Sequence, residues 1–115
     1  MHELSLAMNI VEIVTEEADK IGRCAVKRID LEIGSHSGVV MEALTFAMDE
    51  AIKGTPLAEA KINYHWVEAV AACQECCQEF KPTEFDHICP HCNSMQTYLI
   101  HGKELKVKSV ELKEL

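Results

Sequence analysis

Two short stretches decide the organisation of this chain: C-Q-E-C at residues 73–76 and C-P-H-C at residues 89–92. Each is a C-x-x-C motif, and twelve residues separate the two motifs. A C-x-x-C turn places two thiolates on one side of a tight loop, and two such loops facing each other form a tetrahedral cage of four sulfurs. The cage suits Zn²⁺, with Zn–S distances of about 2.3 Å. The sequence therefore predicts a zinc-ribbon-like module with the ligands Cys73, Cys76, Cys89 and Cys92.

The number of thiolates indicates a structural rather than a catalytic metal. Catalytic zinc uses three protein ligands and keeps one position open for water, whereas four cysteines fill the coordination sphere. Iron accepts the same four sulfurs, so the spacing leaves iron open. Cys77 adjoins Cys76 and is interpreted as a spare thiol, and Cys24 as a small buried residue or a bystander. His87 and His91 are interpreted as loop histidines, with contact to the metal-bound sulfurs as the alternative.

Hydrophobic periodicity on both sides of the cysteine motifs predicts an α+β body. Apolar residues recur at helical spacing in two segments and alternate with polar residues in three others. The predicted elements are a helix over 4–21, a strand over 26–33, a helix over 41–53, and strands over 60–68 and 104–112. The last strand changes parity, and a bulge near Ser109 would bring its apolar side chains to one face.

These patterns predict two helices packed on a small, mostly antiparallel sheet, with the cysteine module inserted between two strands. We expect an α/β domain formed by residues 1–69 and 99–115, and an inserted zinc-binding domain formed by residues 70–98. The oligomeric state is left open between a monomer and a homodimer.

Charge and composition argue against several classes of function. The net charge of −8 disfavours binding to nucleic acid or to anionic membranes. No apolar run approaches the roughly 18 residues that a membrane span needs. The chain starts with an acidic rather than a basic N-terminal region, so a secretory signal is not expected, and six cysteines in such a chain indicate a metal rather than disulfides. We therefore expect a cytoplasmic protein, and no catalytic motif points to an enzyme.

The N-terminus offers a second set of metal ligands. His2 lies one residue from a free α-amine, so an amine nitrogen, a backbone amide nitrogen and an imidazole come from one short stretch. Such a set binds a d8 or d9 cation in a planar arrangement, which favours Ni(II) or Cu(II) over Zn(II). The amide must lose its proton to bind, so affinity should fall in acid.

Taken in order, several stretches closely resemble the hydrogenase nickel-incorporation protein family, HypA and its paralogue HybF. They are M-H-E-L-S at 1–5, L-E-I-G at 31–34, E-A-L-T-F-A at 42–47, G-T-P-L at 54–57 and the paired C-x-x-C motifs. The resemblance covers essentially the whole chain, and its most specific parts are the start and the cysteine quartet.

The resemblance implies a nickel metallochaperone and not an enzyme. It implies that Ni(II) is held by the Met1 amine, the imidazole and backbone nitrogen of His2, and the backbone nitrogen of Glu3. It also implies that zinc is held by the four cysteines, and that residues 1–69 with 99–115 form the nickel-binding domain. The implied partners are a maturation GTPase and the large subunit of [NiFe]-hydrogenase, and in some organisms urease accessory proteins.

One position departs from the family pattern. Many relatives carry an acidic residue two positions after the loop glycine, where this chain has Val40. A supporting carboxylate near nickel is therefore in doubt, and His36 or Glu42 remain candidates for an extra ligand. Two other functions stay open at this point: a zinc-ribbon module for protein interaction without nickel traffic, and a rubredoxin-like electron carrier with iron in the thiolate cage.

Overall fold

The computed structural model describes residues 2–22, 24–83 and 87–114. Its elements, in chain order, are α1 (Glu3–Ile21), β1 (Cys24–Gly34), α2 (Met41–Ala51), β2 (Lys61–Val67), β3 (Val70–Cys73), β4 (Glu79–Phe80), β5 (Thr97–His101) and β6 (Leu105–Glu114). The two helices and the strands β1, β2 and β6 lie within a few residues of their predicted bounds. The predicted end of the first helix at residue 21 is confirmed. Gly22 follows α1 with φ of 130° and donates its N–H to the carbonyl of Ala18.

The main sheet has the strand order β2-β1-β6. β1 pairs with β6 in antiparallel fashion and with β2 in parallel fashion, since α2 lies on the crossover between β1 and β2. All strand pairings described in the chain are antiparallel apart from β1–β2. The predicted α+β architecture is confirmed.

The core lies between one face of this sheet and the two helices. Ile29, Leu31 and Ile33 alternate along β1 and are buried, as the period-two pattern predicts. Leu44 and Met48, one helical turn apart on α2, are fully buried against the same layer. Aliphatic burial therefore holds the helices on the sheet.

Two irregularities bring the apolar side chains of β6 into register with that core. Ser109 pairs with Asp30 and Val107 with Leu31, so Lys108 is an extra residue in β6. The bulge predicted near Ser109 is therefore confirmed. A second register shift, at Lys27 of β1, has no counterpart in the sequence reasoning.

The cysteine segment contains three strands that periodicity did not predict. β3 pairs with β4 and β5 in a second, antiparallel sheet, and β5 crosses residue 98, the end of the inserted domain predicted from the sequence. The division into two domains itself remains a prediction. These strands are two to five residues long, which is too short for a period to be read from sequence.

The second sheet is attached at the end of β1. The backbone N–H groups of Gly34, Ser35 and His36 donate to the carbonyls of Glu104, Val67 and Gly102, at 2.7, 2.8 and 2.7 Å. A side chain at Gly34 would meet the carbonyl oxygen of Gly102 at 2.0 Å, so only glycine fits. The loop after β1 is therefore hydrogen-bonded to both chain segments that connect the two sheets. The molecule measures 57 × 25 × 17 Å.

Helical spacing over 4–21 predicts a largely covered apolar stripe on α1, and this part of the prediction is wrong. Four members of the stripe are exposed, namely Leu4, Met8, Ile13 and Ile21, at 56%, 60%, 46% and 69%. Within the described residues, the structure holds no helix of the length and apolarity that crossing a bilayer demands.

Candidate metal centres

The two C-x-x-C motifs fold into two similar turns. In the first, the N–H of Cys77 donates to the carbonyl of Cys73 at 3.0 Å, and in the second the N–H of Asn93 donates to the carbonyl of Cys89 at 2.8 Å. Cys77 and Asn93 both have positive φ, 63° and 61°. Each turn therefore reverses the chain directly after its second cysteine, and both thiols of a pair are presented to the same side.

The turns bring all four thiols together. The sulfurs of Cys73 and Cys92 lie 3.5 Å apart and those of Cys76 and Cys89 3.6 Å apart, and all four lie within 4.8 Å of one another. A tetrahedral zinc site with Zn–S bonds of about 2.3 Å separates its sulfurs by about 3.8 Å. A disulfide would need about 2.05 Å, so these are free thiols. The donor set and its dimensions fit a structural zinc ion.

The electrostatics of the cluster favour a bound cation. The N–H groups of Cys76 and Glu75, each 3.4 Å from the sulfur of Cys73, lower the pKa of that thiol to about 7. The N–H of Ser94 lowers the pKa of Cys92, but the sulfur of Cys73 and desolvation outweigh it and raise the pKa to about 12. One anionic sulfur therefore opposes ionisation of the next, and a cation is needed to hold four thiolates together.

The other thiols and the loop histidines near the cluster lie outside it. Cys77 is exposed, and Cys24 is partly buried and packs against the core. His91 is exposed. His87 is also exposed, and its ring centroid lies 5.7 Å from that of His36. Among the described residues, the group of metal-binding side chains contains the four cysteines and no histidine.

Two of the residues expected to bind nickel, His2 and Glu3, lie at the start of α1. His2 is exposed and occupies the N-cap position, where its carbonyl accepts the N–H of Leu6 at 3.1 Å while its imidazole makes no capping bond. The imidazole is therefore not committed to the helix. Glu3 is the first helical residue. Met1 lies outside the described residues.

The Glu3 carboxylate connects the N-terminus to the second helix. Its Oε2 accepts the N–H of Val40, the N-cap residue of α2, at 3.2 Å. This bond holds the pKa of Glu3 below its ordinary value. Sequence reasoning missed the contact, because it joins residues 37 positions apart and leaves no local signal. Val40 has no carboxylate of its own, but its backbone N–H binds the carboxylate of Glu3.

His36 is directed toward the cysteine segment. Its Nε2 donates to the carbonyl of Thr83 at 3.0 Å, and its Nδ1 accepts the hydroxyl of Ser35 at 3.2 Å. The Ser35 oxygen in turn accepts the N–H of Ala69 at 2.9 Å. Glu42 is exposed on the first turn of α2. A contribution of His36 or Glu42 to a nickel site stays a prediction.

The fold and the four-thiolate cluster define the chain as a metal-binding α+β protein. The profile of the family described as "Hydrogenase/urease nickel incorporation, metallochaperone, hypA" matches residues 1–112. A hydrogenase maturation factor HypA from Parabacteroides distasonis is 45% identical over 114 residues, which cover 99% of each chain. Another, from Chlorobaculum parvum, is 37% identical over 97% of this chain and 99% of its own length.

Solved structures agree in fold. The solution structure of the Ni metallochaperone HypA from Helicobacter pylori superposes with a TM-score of 0.70 at 22% identity, covering 100% of both chains. A second solution structure of a HypA protein gives 0.72 at 23% identity, over 98% of this chain and 97% of the other. The chain belongs to the HypA family of nickel-incorporation metallochaperones, and the resemblance read from its motifs is confirmed.

Proposed function

We propose that this chain is a nickel metallochaperone that holds Ni(II) at its N-terminus and delivers it during maturation of [NiFe]-hydrogenase. The observation that carries the proposal is the match of residues 1–112 to the nickel-incorporation family. The proposed ligands are the Met1 amine, the imidazole and amide nitrogen of His2, and the amide nitrogen of Glu3.

Helix geometry supports these backbone ligands. The first N–H groups of an α-helix have no carbonyl partner within the helix. His2 and Glu3 occupy the N-cap and first positions of α1, so deprotonating their amides breaks no intrahelical hydrogen bond. A planar set of nitrogens favours Ni(II) or Cu(II) over Zn(II).

The start of α1 is also a suitable position for the release of nickel. His2 is exposed, so an acceptor can reach the ligands and displace them one at a time. A helix N-terminus carries a partial positive charge, which opposes a bound cation, and the carboxylate of Glu3 in the first turn offsets it. Nickel would therefore be held in a selective but exchangeable way.

The cysteine cluster has the complementary role. We assign Zn²⁺ to Cys73, Cys76, Cys89 and Cys92, where four thiolates leave no coordination position for water or substrate. Zinc would fold residues 70–98 as a domain inserted into the nickel-binding domain formed by 1–69 and 99–115. The metal is structural in this assignment.

The partners follow from the function. We propose a hydrogenase maturation GTPase and the hydrogenase large subunit as contacts, with urease accessory proteins as further acceptors, in the cytoplasm. The acidic chain leaves nucleic acid without the basic face that it needs.

Metal analysis of His2→Ala tests the proposal. Nickel binding should fall by more than about tenfold, with zinc unchanged at one ion per chain. The control is His91→Ala, which replaces an exposed histidine between two cysteines. This variant should retain both metals. Loss of nickel and zinc together would contradict two separate sites.

No nickel binding by the wild type would favour the zinc-ribbon interaction module, and a red protein with visible absorption would favour iron.

A further inference from the structure

An exposed apolar patch lies beside the proposed nickel site. It consists of Leu4, Met8 and Phe46, which are 56%, 60% and 71% exposed. Leu4 and Met8 are one helical turn apart on α1, and Phe46 lies on α2. Side chains of this size are seldom left in water as neighbours unless the surface binds something.

A groove between the two helices gives the patch a shape. Its volume is about 380 Å³, and its lining residues are Glu3, Leu4, Ala43, Phe46, Ala47 and Glu50. Ala43 and Ala47 contribute small side chains to the lining. Leu4 from α1 and Phe46 from α2 also line the groove, and both are exposed to solvent. The groove is large enough to receive an apolar side chain from another molecule.

The charge around the patch indicates what that molecule is. The two helices together hold eight acidic residues and one basic residue, whereas the whole chain has a net charge of −8. The helical layer therefore carries nearly all of the net negative charge. Lys53, just beyond α2, neutralises only Glu50, with its ammonium 3.0 Å from that carboxylate.

The outer face of the main sheet differs, because several of its acidic residues are paired with basic ones. Arg28 pairs with Asp30 and with Glu111, and Lys106 lies 3.9 Å from Glu32. Oppositely charged surfaces attract at long range, so the helical layer selects a basic partner in a way that the sheet face does not.

We propose that the apolar patch is the docking surface for a basic amphipathic helix of a partner protein, which places an apolar side chain in the groove and its Lys or Arg residues against the acidic helices. The proposal rests on the proposed function in one respect: docking here brings the partner next to His2, where nickel would be exchanged. A second copy of this chain is disfavoured as the occupant, since it would bring two acidic helical layers together.

A designed peptide tests the docking surface directly. The probe is a fluorescent helical peptide with leucines at i, i+3, i+4 and i+7 on one face and lysines on the other. Its affinity for the zinc-containing protein is measured by anisotropy. Phe46→Ser should weaken binding by about tenfold or more. The matched control is Ile21→Ser, at a residue that is 69% exposed at the other end of α1, and it should change affinity by less than about twofold.

Three results would overturn the proposal. The first is equal affinity for the wild type and Phe46→Ser, and the second is equal binding of a peptide with glutamates in place of its lysines. The third is a wild-type dimer in sedimentation analysis that Phe46→Ser dissociates, because the occupant would then be a second copy.

Failure of the docking surface can be told apart from failure of the nickel site. His2→Ala should lose nickel and bind the peptide normally, whereas Phe46→Ser should lose the peptide and bind nickel normally. If His2→Ala kept its nickel while Phe46→Ser lost the peptide, the proposed function would fail and the docking surface would stand.

Discussion

The cysteine cluster and the N-terminus are two candidate metal sites built in opposite ways. In the cluster, two hydrogen-bonded turns hold four sulfurs, two of them from the buried residues Cys73 and Cys89. At the N-terminus, the proposed ligands come from consecutive residues, and His2 is exposed at the first turn of a helix. A closed cage retains its metal, whereas a set of ligands at an open terminus can be displaced stepwise. Under the proposed assignments, one small chain would keep its zinc and pass on its nickel.

The largest expected effect is the loss of the cage. Cys89→Ser removes a fully buried ligand, so zinc content should fall from one ion per chain to none, with loss of roughly 10–16 kcal/mol of apparent metal-binding free energy. The second sheet should unfold, as seen by amide exchange of residues 70–101, while the helical signal in circular dichroism persists. Cys77→Ser is the control. Retained zinc in Cys89→Ser would contradict the ligand assignment.

A smaller effect is expected from the core under the N-terminal site. Leu44→Ala leaves a cavity in a fully buried position and should lower the free energy of unfolding by about 2–5 kcal/mol in urea titrations. Zinc content should not change, since aliphatic packing stabilises the main sheet and zinc would stabilise the second sheet. Phe46→Ala, two residues away but 71% exposed, should cost less than about 0.5 kcal/mol. Similar losses in both variants would contradict the described packing of α2.

Asp30 makes the main sheet sensitive to acid. His65, Ser109 and Asn63 donate to its carboxylate at 2.9, 2.8 and 3.1 Å, and hold its pKa far below the ordinary value. The carboxylate therefore stabilises the fold above the unfolded-state pKa of about 3.9, and this contribution is lost as pH falls below that value. Asp30→Asn should lower the urea midpoint at pH 7 and flatten its decline toward pH 3.

Glu32→Gln is the matched control for that prediction. Glu32 lies two residues along β1, and its long contact with Lys106 is partly exposed, so its effect should be small. An unchanged pH profile in Asp30→Asn would show that other groups cause the loss of stability in acid.

The smallest expected effect concerns the first cysteine turn. Cys77 has φ of 63°, a conformation that asparagine and glycine adopt more readily. Asn93 already occupies the matching place in the second turn. Cys77→Asn should keep the zinc and leave thermal stability unchanged or raise it by up to about 1 kcal/mol. Loss of zinc would show that Cys77 is a ligand.

The parts of the molecule that follow from local pattern were predictable. Helical and alternating periodicity located both helices and the strands of the main sheet, and the change of parity in β6 revealed its bulge. The C-x-x-C spacing predicted the cluster, because the two turns need only local hydrogen bonds to form. The opening Met-His-Glu motif and the cysteine pairs together pointed to the family.

The remaining features depend on contacts between distant residues. Helical spacing places Leu4 and Met8 on the apolar stripe of α1, but tertiary packing decides how much of that stripe the sheet covers. The bonds from Glu3 to Val40 and from His36 to Thr83 join residues 37 and 47 positions apart. Neither bond could be predicted from local propensity or from residue spacing, because each depends on how distant segments pack together.

The central claim is that nickel binds through the free N-terminus while zinc stays in the thiolate cage. It is tested most directly by titrating nickel into the untagged protein and into a form with a short N-terminal extension, with zinc quantified in parallel at two pH values. We expect the untagged chain to bind one nickel ion, more weakly at the lower pH than at the higher. We expect the extended chain to bind no nickel while keeping its zinc. Undiminished nickel affinity in the extended chain would contradict it.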